Sequence, residues 1–224
     1  MTPLAPLHFD DAREAAGLAA FLRRLLHYDR AAAVRLQAGG GALAVFGRPP
    51  SFEVIAIRTA RLVDSVDLDV TVSAGELLEG IEESAGKAVV PDAVTGPPWA
   101  GVLPPRGGWE PVAGLPDAAA MRGAVGAAVA EFRTRDEELP EERRTRAERD
   151  RIGREIWSRT LADTGLPLRA VHAAQSLGFL PDLPGAQLPV ALFAAGPWLR
   201  LRTPYGSVAL RTVQTSLTVT PAAR

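Results

Sequence analysis

The residues best suited to binding chemistry stand in one proline- and glycine-rich stretch, residues 96–116. Its single arginine lies between two tryptophans, and a guanidinium can bind a carboxylate or a phosphate or stack on an aromatic ring. Two glycines follow the arginine and would let backbone N–H groups approach a ligand closely. Because tryptophan and arginine dominate protein interfaces, the stretch is typical of a loop that binds a partner or a small anionic ligand. The candidate residues are Trp99, Arg106, Gly107, Gly108 and Trp109.

The same two tryptophans have a purely structural interpretation, which we favour. Trp99 and Trp109 carry large apolar surfaces that are stabilised by burial. Prolines hold the stretch rigid, since proline fixes its own φ and pushes the preceding residue toward extended geometry. We therefore expect both side chains to pack inward and to join the two halves of the chain.

A second candidate surface is the arginine-rich segment 131–155. Arg143, Arg146 and Arg154 share one face of a predicted helix, so they form a narrow stripe that could contact phosphates. Acidic residues alternate with these arginines, and the formal net charge of the chain is −1. Phosphate binding needs a net positive face, so a DNA-binding regulator is the third of three function classes and nucleic acid is not the expected partner.

No recognised catalytic motif accompanies these candidates. The chain has no cysteine, no serine nucleophile elbow, no paired-histidine zinc motif and no dinucleotide-binding glycine pattern after a strand. Residues 80–87 resemble a phosphate-binding loop, but the glycine spacing is one residue too long and Ala88 replaces the required hydroxyl residue. We expect Lys87 to be a surface residue and the protein to use no cofactor, which favours a non-catalytic function without excluding an enzyme.

The acidic and histidine residues give no metal motif either. Asp67 and Asp69 lie on one face of a predicted strand close to Asp64, but no glycine-bearing calcium loop accompanies them. His27 falls in the last turn of a helix, and His172 lies among apolar residues of a short helix. We interpret the carboxylates as solvated, both histidines as structural, and the metal complement as none.

The first half of the chain reads as helix, four strands and helix. Asp11 begins a helix with Glu14 at capping-box spacing, and Ser73 with Glu76 begins another, which we expect to end near residue 85. Between these helices we predict strands at 34–38, 42–46, 52–62 and 66–72. The third has apolar residues on both faces and belongs inside a covered sheet, whereas the fourth alternates cleanly and has one wet face.

The second half reads as helices followed by strands. Asp117 begins an alanine-rich helix, in which we expect Gly123 and Gly126 to let another element approach closely. The charged segment that follows is expected to be a solvated helix interrupted at Pro140, whose first half projects and whose second half docks through late apolar residues such as Ile152 and Ile156. A short helix at 167–177 and strands at 190–194, 198–203 and 207–219 complete the chain.

The predicted fold is α+β, with an antiparallel meander sheet packed with helices, a C-terminal helical segment and terminal β-strands. We divide the chain into 1–90, a connector at 91–116, and 117–224, and expect the last part to form one compact unit with the first. A faint similarity at an offset of 165 residues aligns Leu36 with Leu201 and Gly41 with Gly206. A true duplication would produce two sheet modules related by a pseudo-twofold.

Residues 103–112, LPPRGGWEPV, and 196–211, GPWLRLRTPYGSVALR, resemble an uncharacterised protein family typical of high-GC actinobacteria. The resemblance covers about the last two thirds of the chain and implies a bacterial protein but no transferable function. The start of the sequence lacks a signal-peptide pattern and no stretch has the length and apolarity of a membrane span, so we expect a cytoplasmic protein without a membrane partner.

Three function classes follow from these observations. The leading expectation is a non-catalytic interaction protein, a homodimer that uses the charged helix and the connector to contact a protein partner. The second is a protein or enzyme that binds a small anionic ligand between the sheet and the connector, with Arg106 as the anchor. The third is the DNA-binding regulator described above.

Overall fold

The computed structural model describes residues 6–97, 99 and 101–212, and within that part of the chain it contains five α-helices, one 3-10 helix and eleven strands. The helices are α1 (Ala12–Tyr28), α2 (Ala74–Glu79), α3 (Ala118–Glu137), α4 (Arg146–Ser158) and α5 (Leu168–Ser176), with a 3-10 turn at Glu141–Arg143. The strands are β1 (Leu7–His8), β2 (Ala33–Gly39), β3 (Ala42–Gly47), β4 (Ile55–Arg61), β5 (Leu68–Ser73), β6 (Ile81–Glu82), β7 (Lys87–Ala88), β8 (Glu110–Val112), β9 (Ala191–Ala195), β10 (Trp198–Thr203) and β11 (Gly206–Arg211). The predicted α+β class with terminal strands is confirmed.

Eight of the described strands form one antiparallel sheet, the large sheet, in the order β5-β2-β3-β4-β11-β10-β9-β8. The first half departs from a simple meander, because β5 returns to pair with β2 instead of with β4. This is a Greek-key order. Both faces of β4 carry buried residues, and both of its edges are paired, one with β3 and the other with β11. On the polar side of β5, Asp69 is exposed, as suits the edge of the sheet, whereas Thr71 is buried, so the expected wet face is only partly exposed.

The terminal strands complete the first sheet and do not form a second one. Strands β8 to β11 make a meander whose last strand pairs with β4, through Ser207 opposite Ile57 and Ala209 opposite Ile55. The predicted last strand extends to residue 219, but its part beyond residue 212 lies outside the described residues. The β4–β11 ladder therefore joins the first and last parts of the chain through backbone hydrogen bonds.

The helices cover one face of the large sheet, here called the inner face. Asp11 caps α1 by accepting a hydrogen bond from the backbone N–H of Arg13. Glu14, expected to complete a capping box, instead accepts from Arg58 of β4 at 3.3 Å. Buried side chains of α1, α3, α4 and α5 form one core with the inward residues of the sheet, among them Leu36 and Val208. Removing this apolar surface from water is the main stabilising contribution to the fold.

Two predicted helical features differ in the structure. The helix after Ser73 ends at Glu79, and residues 81–88 form a short hairpin that pairs with β1, in which Lys87 contacts Glu82 at 3.0 Å. The chain turns back at Gly80, where a Cβ would lie 2.7 Å from the Val89 carbonyl oxygen. On α3, a Cβ on either predicted close-approach glycine, at positions 123 and 126, would meet nothing within 4 Å, so that expectation is wrong.

The charged segment folds back on itself and does not project as one helix. The interruption at Pro140 is confirmed, and α4 then returns along α3. Arg135 of α3 donates two hydrogen bonds to the carboxylate of Glu155 on α4, at 2.7 and 2.8 Å. Arg149 of α4 donates to Asp136 of α3 at 2.7 Å. Much of the charge is therefore paired between the two helices, in addition to i,i+4 pairs within each.

The two hairpins that resemble each other in sequence have turns whose offset differs by one residue from the offset of the sequence similarity, and the duplication stays a prediction. The β2–β3 turn occupies residues 40–41 and the β10–β11 turn occupies residues 204–205, an offset of 164. If the two turns are aligned with each other, Leu36, which points into the core, corresponds to Arg200, which points to the opposite face of the sheet. This happens because a shift of one residue exchanges the two faces of a strand.

None of the helices that the structure describes combines the length and apolarity needed to cross a membrane.

Candidate functional site

The connector packs across the face of the large sheet opposite the helices, here called the outer face. Its first part is tied to the β5 edge, where the backbone N–H of Val94 donates to the Thr71 carbonyl at 2.9 Å. It then crosses the sheet and ends as strand β8 on the opposite edge. Side chains of the connector and of the sheet form a second hydrophobic cluster on this face. Its buried members are Phe46, Ile55, Ile57, Trp99, Trp198 and Ala209, with Val102, Leu103 and Trp109 packed against them.

Both connector tryptophans pack inward, as predicted from the sequence. Trp99 is 7% exposed and lies in the outer-face cluster with residues from both halves of the chain. Trp109 is half-buried, and its indole N–H donates to the Pro105 carbonyl at 3.0 Å, which fixes the ring. The two rings therefore hold the connector against the sheet.

The structure separates Arg106 from these rings. Its side chain is exposed and its charge acts on Asp69 at the β5 edge. Burial opposes ionisation of Asp69, but hydrogen bonds from Arg35 and Gln37 and the charges of Arg35 and Arg106 outweigh it and lower the pKa of that carboxyl. The two glycines after Arg106 are also exposed, and a Cβ on either would meet nothing within 4 Å.

An open groove of about 680 Å³ lies on the outer face, between Trp109 and strands β9, β10, β11 and β4. We call it the outer groove. Strand register places Arg200 opposite Phe193 of β9 and Ala209 of β11, and Arg202 opposite Ser207. Because residues i and i+2 of a strand share a face, both guanidinium-bearing side chains point to this side of the sheet. The lining combines two arginines, two aromatic rings, the hydroxyls of Thr59 and Ser207, and apolar residues near Pro189 and Pro204.

Arg200 is the electrostatic centre of the outer groove. Its guanidinium lies over the Trp109 ring, with Cζ 5.8 Å from the ring centroid, and its Nη2 donates to Ser207 Oγ at 3.0 Å. Its Nε is buried and has no hydrogen-bond partner in the described part of the chain. Burial lowers the pKa of Arg200, and the charge of Arg202 lowers it further, with no carboxylate acting in the opposite direction. Arginine stays protonated in proteins, so Arg200 is a half-buried cation, and no carboxylate of the described residues is paired with it.

The predicted phosphate-contacting arginines lie on or beside α4. Arg143 is within 3.4 Å of Glu148, and Arg146, with a 95% exposed side chain, is 3.8 Å from Asp150. Arg154 lines a cavity beside Trp157. Carboxylates therefore accompany two of the three arginines, which reduces the positive potential that a phosphate backbone would meet.

His27 and His172 lie in aromatic contacts, and His27 meets Tyr28 edge-on. His172 stacks on Trp157 with ring centroids 4.4 Å apart and meets Phe52 edge-on at 5.2 Å. Burial lowers the pKa of His172. Within the described residues, no group of three or more histidine and acidic side chains is arranged to hold a metal ion.

Sequence reasoning missed Arg200 and Arg202. A signal was present, because WLRLRT alternates apolar residues with arginine and places both cations on one face of a strand. The sequence does not reveal what covers that face, because only the tertiary structure brings Trp109 and Phe193 beside it.

Fold and site together define an α+β protein whose single large antiparallel sheet carries helices on one face and an arginine-lined groove on the other. Residues 104–215, half of the chain, match the family model described as a domain of unknown function (DUF8185), so the chain belongs to that family. Residues 2–101 match a second model, described as a domain of unknown function (DUF8010). The expected membership of an uncharacterised family is thus confirmed. No curated protein matches the chain.

The two matched ranges meet inside the connector, between residues 101 and 104. The large sheet continues across this boundary, since β4 belongs to the first range and β11 to the second. The outer groove takes Thr59 from the first range and its other lining residues from the second.

Proposed function

We propose that the protein binds a small organic anion in the outer groove, with Arg200 as the anchor. The observation that carries the proposal is the half-buried guanidinium of Arg200. Among the residues that the structure describes, its Nε has no partner and its neighbourhood contains Arg202 but no carboxylate. Leaving a buried polar group without a partner costs about 1–3 kcal/mol, and an incoming carboxylate or phosphate oxygen would remove that penalty.

The remaining lining indicates what the anion is attached to. Trp109 and Phe193 lie on either side of Arg200, and prolines 189 and 204 extend the apolar surface. Small-molecule sites typically combine such apolar walls with a few polar groups that orient the ligand. We therefore propose a planar or apolar body in contact with the rings and an anionic group at the Arg200 guanidinium. This is the second of the three function classes given by the sequence, with Arg200 in place of Arg106 as the anchor.

The test compares the two candidate anchors. Isothermal titration of the purified protein with benzoate and with phenyl phosphate presents two anionic groups on the same apolar body. We expect Arg200→Gln to weaken binding at least about tenfold, because a charged hydrogen bond contributes about 1.5–3 kcal/mol. The matched variant Arg106→Gln should bind like the wild type. Equal binding by Arg200→Gln, or no saturable binding of either anion to the wild type, would overturn the proposal.

Native mass spectrometry of the same sample reports two further points. A small bound mass that disappears on denaturation and is absent from the Arg200→Gln variant would support the groove and identify its natural ligand. The homodimer, the protein partner, the cytoplasmic location and the actinobacterial origin expected from the sequence stay predictions. Of these, the oligomeric state is read directly from the same spectrum.

A further inference from the structure

A second cluster of features lies at the end of the sheet where β4 begins, around the loop at residues 48–54. Ser51 and Glu53 have φ angles of 71° and 54°, in the left-handed region that residues other than glycine seldom adopt. Such strained positions persist only when surrounding structure holds them, and they concentrate at functional sites. Strain alone identifies no ligand, but the contacts of Glu53 indicate one.

Glu53 lies next to Arg169, a partly buried arginine whose Nε atom is fully buried. Its Oε2 is 3.4 Å from Nε of Arg169, but the two groups are not aligned as a hydrogen bond, and Arg169 Nε is buried without a partner among the described residues. The side chain of Glu53 is 79% exposed, whereas that of Arg169 is 25% exposed. A strained, exposed carboxylate thus approaches a buried guanidinium without satisfying it.

Arg169 has further positive potential around it. It lies in the first turn of α5, whose N-cap residue, Pro167, makes no side-chain cap, so the positive end of the helix dipole is close. A cavity of about 680 Å³ on one side of Arg169 is also lined by Arg48 and Arg211, against the carboxylates of Glu53 and Asp29. A second cavity of about 630 Å³ adjoins it, and both are lined by Ser51, Glu53 and Arg169. The Glu53–Arg169 pair therefore stands at the boundary between two cavities.

We propose that Arg169 binds the phosphate group of a small phosphorylated molecule, and that the carboxylate of Glu53 occupies this position when the ligand is absent. A phosphate offers several acceptor oxygens to Arg169 and to the arginines at positions 48 and 211, which suits it better than one carboxylate. Displaced Glu53 moves toward solvent, where its side chain is already largely exposed. This site is separate from the outer groove, and its existence does not depend on the proposed function.

Inorganic phosphate is the probe, and Glu53→Gln is the decisive variant. Removing the competing charge at an exposed position should leave folding intact and tighten phosphate binding at least about threefold, measured by isothermal titration at constant ionic strength. Arg169→Gln should abolish the binding. Arg200→Gln, which alters the outer groove alone, should bind phosphate like the wild type.

Each result has a defined meaning. Unchanged or weaker phosphate binding by Glu53→Gln overturns the proposal, as does wild-type binding by Arg169→Gln. Loss of binding only in Arg200→Gln would assign the phosphate to the outer groove and also overturn it. Titration with succinate at the same concentration distinguishes a phosphate site from a general anion site. Succinate binding as tight as phosphate binding would refute the phosphate assignment. If Arg169→Gln unfolds, the Glu53→Gln and Arg200→Gln results decide alone.

Discussion

Replacing Gly206 by alanine should destabilise the protein strongly, because this position has no room for a side chain. Gly206 is the first residue of β11, and a Cβ built there would lie 2.5, 2.6 and 2.7 Å from three atoms of the Phe179 ring. Optimal carbon–carbon contacts are about 3.5–4.0 Å, so the ring would have to move by about 1 Å. Phe179 is 2% exposed and stacks on Phe21 of α1 at a centroid distance of 5.6 Å, which leaves little freedom to move.

The expected cost is at the upper end of that measured for overpacked cores, about 3 kcal/mol. In a chain of this length this corresponds to a fall in melting temperature of roughly 6–12 °C. Urea unfolding of the wild type, Gly206→Ala, Phe179→Leu and the double variant measures the coupling directly. Phe179→Leu removes Cε1 and Cζ, two of the three ring atoms that the new methyl group meets, so Gly206→Ala should cost about 2 kcal/mol less in that background; the cost that remains comes from the φ of 157° at position 206, which favours glycine. The same cost in both backgrounds, or a cost below about 0.5 kcal/mol in the wild type, would refute the steric reasoning.

Three further predictions concern other parts of the fold. On α3, a Cβ at position 126 would meet nothing within 4 Å. Gly126→Ala should therefore stabilise the protein by about 0.5–1 kcal/mol in urea unfolding, because alanine has the higher helix propensity. Trp99→Ala should lower the free energy of unfolding by about 3–5 kcal/mol in the same measurement, as for other buried aromatic residues. Arg106 is exposed, so Arg106→Ala should change it by no more than about 0.5 kcal/mol. Similar effects of the two substitutions would contradict the burial of Trp99. The hydrogen bond that Glu155 accepts from Arg135 lowers the pKa of Glu155 from its ordinary value of 4.5 to about 2. The stabilising contribution of this carboxylate is therefore complete above pH 4.5 and is lost as the pH falls toward 2. Melting temperatures between pH 2 and 6 should therefore fall less steeply in Arg135→Gln than in the wild type, and parallel curves would argue against the ion pair.

Local patterns predicted most of the helices and strands. The caps at Asp11, Ser73 and Asp117 appear where the sequence places them, because capping depends on residues two or three positions apart. The central position of β4 was also predictable, since apolar residues on both faces require cover on both sides. The helical hairpin at 118–158 was not, because its strongest ion pairs join residues 13 to 28 positions apart.

The candidate site was predicted only in part. The connector and its tryptophans were identified from composition, and Trp109 does line the outer groove. The anchor was assigned to Arg106, the arginine nearest in sequence to the tryptophans, but the structure places Arg200 against the Trp109 ring. Sequence proximity cannot reveal this contact, because it joins residues that are distant along the chain.

The sequence by itself determined the local elements, the two-faced character of β4 and the rigidity of the connector, because these depend on side-chain periodicity, capping and proline geometry within a few residues. The tertiary structure decided which edge of β4 receives β11, which face of the sheet the connector covers, and which guanidinium remains without a counter-ion. These outcomes depend on long-range strand pairing and on burial, which desolvates Arg200 and leaves Nε of both Arg200 and Arg169 without a partner among the described residues. The chemistry proposed for both arginines follows from that burial and not from their position in the sequence.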